Sequence, residues 1–161
     1  MDNAKLLEIL GRITLFKELD DKERKLILTM PKAFEVFSAG EAIVREGERE
    51  ACFYILLTGI ANVYVNGQEL ATLLPPQFVG EVGFICNEPR IATVVAKEQV
   101  MAMRIDSEGF AKLPGSIRER IKDKIIAGLV ARLREGNQSL TLLKSRPKFN
   151  EQINAGLQPV N

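Results

Sequence analysis

Histidine is absent from the chain, and cysteine occurs only twice, at Cys52 and Cys86. The first absence excludes histidine-ligated haem and any Ser-His or Cys-His catalytic unit. The second puts four-cysteine zinc and iron–sulfur sites out of reach. No catalytic residue, metal site or cofactor is expected, and the chain does not read as an enzyme. Long apolar runs are missing too, since no stretch of about 18 residues could span a bilayer. Asp2 and Glu8 interrupt the apolar positions near the start, so no secretory signal is read there. A reduced, cytoplasmic setting is expected, with both cysteines as small core or pocket-edge residues. Neither sign of charge dominates, because the net charge is +1. Nothing therefore draws the chain in bulk to nucleic acid or to an acidic membrane.

What is present is an ordinary soluble composition, 46% hydrophobic and 27% charged over 161 residues. That is enough for one domain with a sound core and a few appended elements. Leu6, Leu7, Ile9, Leu10 and Ile13 have helical spacing and predict a helix over 4–13, weakened at Gly11. A second helix over 20–30 opens at Asp20 and Asp21, with Glu23 placed as in a capping box, and Pro31 discourages its continuation. From Ala33 to Ile105 the period changes to that of strands, predicted at 34–37, 42–44, 52–57, 61–65, 68–74, 91–96 and 100–105. Asn66-Gly67 is a hairpin signal. Pro75-Pro76 breaks the sheet, because neither residue can donate to a ladder, and a compact loop follows from Gln77 to Arg90. Asp106-Ser107 caps a short helix through Leu113, and Ser116 caps a longer one over about 117–135, which Gly136-Asn137 should end.

These elements divide the chain into a helical entry (1–32), a β region (33–106) with a binding loop at 78–92, C-terminal helices (107–136) and a polar tail (137–161). The fold class is α+β, mainly β. The expected architecture is an antiparallel jelly-roll-like β-barrel flanked by N-terminal helices and a C-terminal helix.

The chemistry concentrates in Phe78-Val79-Gly80-Glu81-Val82-Gly83-Phe84-Ile85, followed by Cys86-Asn87-Glu88-Pro89-Arg90. A carboxylate accepts hydrogen bonds from vicinal hydroxyls such as those of a ribose, and an arginine fork offers paired donors to two phosphate oxygens. Gly80 would let a ligand approach the backbone, and exposed amides in such a turn form an anion-binding nest. Spacing alone favours a second reading, in which Glu81 and Arg90 form a surface ion pair that closes a loop.

The stretch FVGEVGFICNEPRIATVVA resembles the phosphate-binding cassette of cyclic-nucleotide-binding domains, the family of catabolite-activator-like and kinase-regulatory sensor domains. Ala39-Gly40-Glu41 with Arg45-Glu46-Gly47 is similar to the family's early glycine turns. Phe53-Tyr54-Ile55, Gly59 and Val63-Tyr64 resemble its central strand pair, and Leu15 to Leu19 its helical entry. The likeness spans about residues 15–113. It implies that Glu81 accepts from the ribose 2′-hydroxyl and that Arg90 binds the cyclic phosphate beside Gly80. The amides of Val82 and Ala92 would point at phosphate and ribose. Val63 and Leu73 would line the sugar and base pocket, though plain core packing explains them as well. After the arginine, guanine-preferring members often carry Thr or Ser. Ile91 stands there, leaving the guanine amino group unsatisfied at a cost of about 1–3 kcal/mol, or roughly tenfold. Cyclic AMP is therefore the preferred ligand and cyclic GMP the second, with Thr93 as a hydroxyl that could compensate.

In this family a helix after the β region reads out the ligand, and helix 117–135 occupies that place. Its apolar face fits packing, a lid over the base, or a homodimer seam through positions 126, 129, 133, 140 and 143. Residues 137–161 are too few for a winged helix-turn-helix, so no DNA binding is expected. The basic residues from Arg118 to Lys148 read as a solvated face. The resulting expectation is a non-enzymatic receptor that regulates a separate, unidentified effector protein, with no membrane partner. The alternatives are a cupin-like barrel, recognition of a cyclic dinucleotide, or an empty barrel acting as a partner-binding scaffold.

Overall fold

The computed structural model describes residues 2–13 and 15–144, with side chains described to residue 137. Helix α1 spans Asn3–Arg12, capped by the Asp2 side chain, and buries Leu6 and Leu10. Helix α2 spans Asp21–Leu28. Its capping box is complete, with the Glu23 amide donating to Asp20 Oδ1 at 2.8 Å and the Asp20 amide to Glu23 Oε2 at 3.1 Å. It stops short of the predicted Met30, in keeping with the bias against helix before Pro31.

Eight strands follow, interrupted by one short helix. They are β1 (Phe34–Phe37), β2 (Ala42–Val44), β3 (Cys52–Thr58), β4 (Ala61–Val65), β5 (Gln68–Leu73), β6 (Phe78–Val79), β7 (Thr93–Ala96) and β8 (Val100–Asp106). Helix α3 (Glu81–Cys86) lies between β6 and β7. One sheet has the order β1-β8-β3-β6, the other β2-β7-β4-β5, and every pairing is antiparallel. No ladder joins the two sheets among the described residues. The expected jelly-roll-like arrangement is present, but as two facing sheets rather than a closed barrel.

Strand β3 explains its own unbroken apolar run. Cys52, Tyr54 and Leu56 enter the core between the sheets with Ile43, Val44, Ala61, Val79, Val94, Ala96, Val100 and Ala102. Its alternate residues Phe53, Ile55 and Leu57 are buried on the other face. There Phe53 meets Phe84 of α3 at 5.0 Å between ring centroids. A strand covered on both faces has no polar side to alternate. Each fully buried side chain of this size contributes roughly 1.5–3 kcal/mol. At the other extreme, β5 is exposed along most of its length. The β4–β5 hairpin turns at Asn66 and Gly67, with φ of 50° and 77°, as a two-residue loop of this kind requires.

Helix α4 spans Ser107–Lys112, and Asp106 caps it through Gly109 N–H at 2.7 Å. Helix α5 runs from Gly115 to Lys144. This corrects the expected stop at Gly136-Asn137. Gly136 shows no left-handed φ, so it does not form the cap that ends a helix. A glycine inside a helix costs only about 1 kcal/mol, which a long helix tolerates. The described residues fall into two units that divide after Ile121. Ile117 and Ile121 are buried in the first. In the second, Ile126, Val130 and Leu133 are exposed. The seam positions Leu140 and Leu143, and the tail beyond Lys144, lie outside the residues whose side chains are described. No helix among the described residues is long and apolar enough to cross a membrane.

Candidate functional site

The expected loop from Gln77 to Arg90 instead forms strand β6, helix α3 and a turn. Strand β6 pairs with Tyr54 and Ile55 of β3. Gly80 then takes φ 77°, a left-handed conformation that reverses the chain and starts α3 at Glu81. Asn87, at φ 52°, closes α3, and its amide donates back to the Gly83 carbonyl. Phe84 anchors this helix to the sheet, its ring packing on Phe53 and its centroid lying 6.2 Å from that of Phe110. The sequence signal for a helix of six residues is weak because it spans fewer than two turns.

Arg90 sits beneath this helix and is only 4% exposed. Its Nη1 donates to the Gly80 carbonyl at 2.6 Å and its Nη2 to the Cys52 carbonyl at 2.5 Å. The Cys52 thiol lies 3.5 Å from Nη2, and the Glu50 carboxylate 3.9 Å. Nε is buried and has no hydrogen-bond partner among the described residues. The backbone is held as firmly as the side chain. Gly47 N–H donates to Arg90 O, and Arg90 N–H to Glu48 O, both at 2.8 Å. Arg49 reaches the Asn87 carbonyl at 3.3 Å. The turn between β2 and β3 thus braces the far end of the cassette.

Gly80 has a structural task as well. A Cβ there would lie 2.4 Å from Arg90 Nη1 and 2.8 Å from its Cζ. The missing side chain makes room for the guanidinium. Gly83 is crowded as well, with a Cβ 3.0 Å from the Glu88 carbonyl and 3.5 Å from Nη1.

Glu81 is 5% exposed. The surface ion-pair reading therefore fails, since neither Glu81 nor Arg90 is a surface group. Val82, next along α3, is half-buried. Val63 and Leu73 are partly buried and pack against the inter-sheet core. The register places Leu73 opposite Ala61, and Val63 opposite Val94 and Ala71, on the inner face of their sheet. Both the core reading and the pocket reading of these two residues are compatible with that position.

Ile91 and Ala92 were predicted to open a strand, but β7 begins only at Thr93. The preceding Arg90 backbone is bonded to the Gly47 turn, and residues 91 and 92 bend before the chain joins β4. Ile91 is left 61% exposed, and Ala92 is half-buried. The Thr93 hydroxyl is engaged, accepting from Glu46 N–H at 3.0 Å, and Glu46 in turn accepts from Asn66 N–H. It braces the Glu46 turn through one lone pair, and its proton and second lone pair stay available.

Burial pushes the Cys52 thiol pKa up, against the opposing pull of Arg104 and Arg90. It is therefore a protonated packing residue rather than a nucleophile. Burial also raises the Tyr54 phenol. Cys86 is exposed, and both cysteines are free. Sequence reasoning did not find Glu50 or the Cys52 carbonyl. No side-chain pattern signals a backbone carbonyl as an arginine's partner, and Glu50 is one of several acids around the Gly47 turn.

Comparison with known proteins agrees with this geometry. Residues 34–115 match the family model described as the cyclic nucleotide-binding domain. A cGMP-dependent protein kinase of Eimeria tenella is 29% identical over 111 residues, 69% of this chain and 11% of the kinase. The chain thus spans about a tenth of that relative's length. A solved structure of PKAR CBD2 with Sp-2Cl-cAMPS bound superposes with a TM-score of 0.65 at 26% identity, covering 84% of this chain and 91% of the other. The Thermus thermophilus catabolite activator protein gives 0.61 at 27% identity, covering 81% and 62%. With more than half of its length matched, the chain belongs to the cyclic nucleotide-binding domain family.

Proposed function

We propose that this chain is a cyclic-nucleotide receptor that prefers cyclic AMP. One observation carries the reading most strongly. Arg90 is buried, its two terminal nitrogens are anchored on carbonyls, and its Nε has no partner. An unspent donor on a desolvated cation is costly to leave unmet, and a phosphate monoanion would meet it. Glu81, buried at the start of the neighbouring helix, would accept from the ribose 2′-hydroxyl. The amides of Val82 and Ala92 would face the phosphate and the ribose edge. Val63 and Leu73 would line the sugar and base beside them.

Ile91 supports adenine over guanine, because it supplies no hydroxyl to the base. The kinase relative favours cyclic GMP as a second reading. Signalling would follow if ligand binding repositions α5, within which the two structural units meet in sequence, so as to regulate a separate effector protein. The PKAR relative supports a regulatory rather than a catalytic role.

Isothermal calorimetry with cyclic AMP, cyclic GMP and linear 5′-AMP tests the ligand. Saturable binding of cyclic AMP, about tenfold tighter than cyclic GMP, is expected. Equal affinity for the two cyclic nucleotides would remove the Ile91 argument, and no binding of either would sink the receptor reading.

A further inference from the structure

Glu50 is half-exposed, with 51% of its side chain accessible, yet its carboxylate lies 3.9 Å from the Nη2 of an arginine that is almost fully buried. The same oxygen is 3.5 Å from the Cys52 thiol. Arg90 does not depend on this carboxylate for its placement. The Gly80 and Cys52 carbonyls hold both terminal nitrogens, the close approach of Gly80 confines the guanidinium, and the Gly47 turn holds the backbone. Glu50 therefore adds negative charge beside a cation that is already fixed.

From this we infer that Glu50 is the resident counter-ion of Arg90 and lowers the affinity of the site for an anion. The inference deepens the receptor reading above and rests on it. A carboxylate at this distance reduces the positive potential that a phosphate would meet, and it repels the phosphate directly. Because Glu50 stands at the solvent edge, its effect is open to screening by salt. Glu50 acts through Arg90 as a tuning residue, and sets how much ligand is needed to fill the site rather than whether the site exists.

The test compares the parent chain with Glu50→Gln and Glu50→Asp by calorimetry with cyclic AMP, at low and at high ionic strength. Thermal melts confirm that each variant folds. Removing the charge should tighten binding about three- to tenfold at low salt. Keeping it as aspartate should leave affinity near that of the parent, and the gain from glutamine should shrink as salt rises. A residue needed only to shape the turn would not separate glutamine from aspartate in this way. If the parent binds and Glu50→Gln binds no more tightly, this inference is overturned and the receptor reading stands. If the parent binds neither cyclic nucleotide, the receptor reading falls and takes this inference with it.

Discussion

Gly80 and Gly136 are the same residue in two regions with opposite physics. At Gly80 a methyl group would strike the Arg90 guanidinium at 2.4 Å, and the backbone is left-handed. At Gly136 a methyl group would meet nothing within 4 Å, and the backbone is helical. The cassette around Gly80 is held by partners far away in sequence, with Cys52 and Gly47 both about forty residues before Arg90. Helix α5 around Gly136 is held by bonds between near neighbours in sequence. A glycine in a tertiary junction is a packing requirement. In a long helix it is a tolerated weakness.

The largest effect expected from breaking this contrast is at Arg90. Arg90→Ala should remove about 2–5 kcal/mol of cyclic-nucleotide affinity in calorimetry, because the phosphate would lose its desolvated partner. Affinity that survives the change would show that the cassette is not the site. Next comes Gly80→Ala, which must displace the guanidinium and also pay for a left-handed alanine, about 1–2 kcal/mol. Its melting temperature should drop by several degrees, and binding should weaken at the same time. A Gly80→Ala chain with parental binding would mean that Arg90 works equally well elsewhere.

Ile91→Thr should be milder still, shifting the ratio of cyclic AMP to cyclic GMP affinity by up to about tenfold toward cyclic GMP. An unchanged ratio in a competition assay would show that position 91 does not read the base. The smallest effect belongs to Gly136→Ala. It should stabilise α5 by about 0.5–1 kcal/mol, raise the helical signal in far-ultraviolet circular dichroism, and leave nucleotide affinity alone. A loss of helix on that change would place a cap at Gly136 after all.

Much of the fold was legible because its signals are local. Asp20 and Glu23 announce their capping box through a three-residue spacing. Asn66-Gly67 specifies its hairpin because only residues at ease with positive φ close a two-residue loop. Strands β1 to β5 fell close to their predicted bounds, since each is a short apolar or alternating run between turn residues. Three local readings failed for a common reason. The residue pattern of the cassette predicts a loop, yet a helix forms there with Phe84 packed on Phe53. The pattern places Ile91 in a strand, yet Arg90 bonds to the Gly47 turn and β7 begins only at Thr93. Gly136 was read as a stop from residue type alone, although a cap also needs a left-handed backbone.

By itself the sequence determined which side chains carry charge into an apolar setting. It supplied Gly80, Glu81 and Arg90 in an order that resembles one family, together with the turn residues that pace the seven strands read from it. Only the tertiary structure decided what Arg90 is. Whether an arginine clasps a surface loop or waits for an anion depends on its burial and on which carbonyls meet its nitrogens. Both are set by strands that the chain brings together across about forty residues. Desolvation and long-range hydrogen bonds leave no mark on residue spacing, and here they bury both charged residues and set the nitrogens of Arg90 on the Gly80 and Cys52 carbonyls.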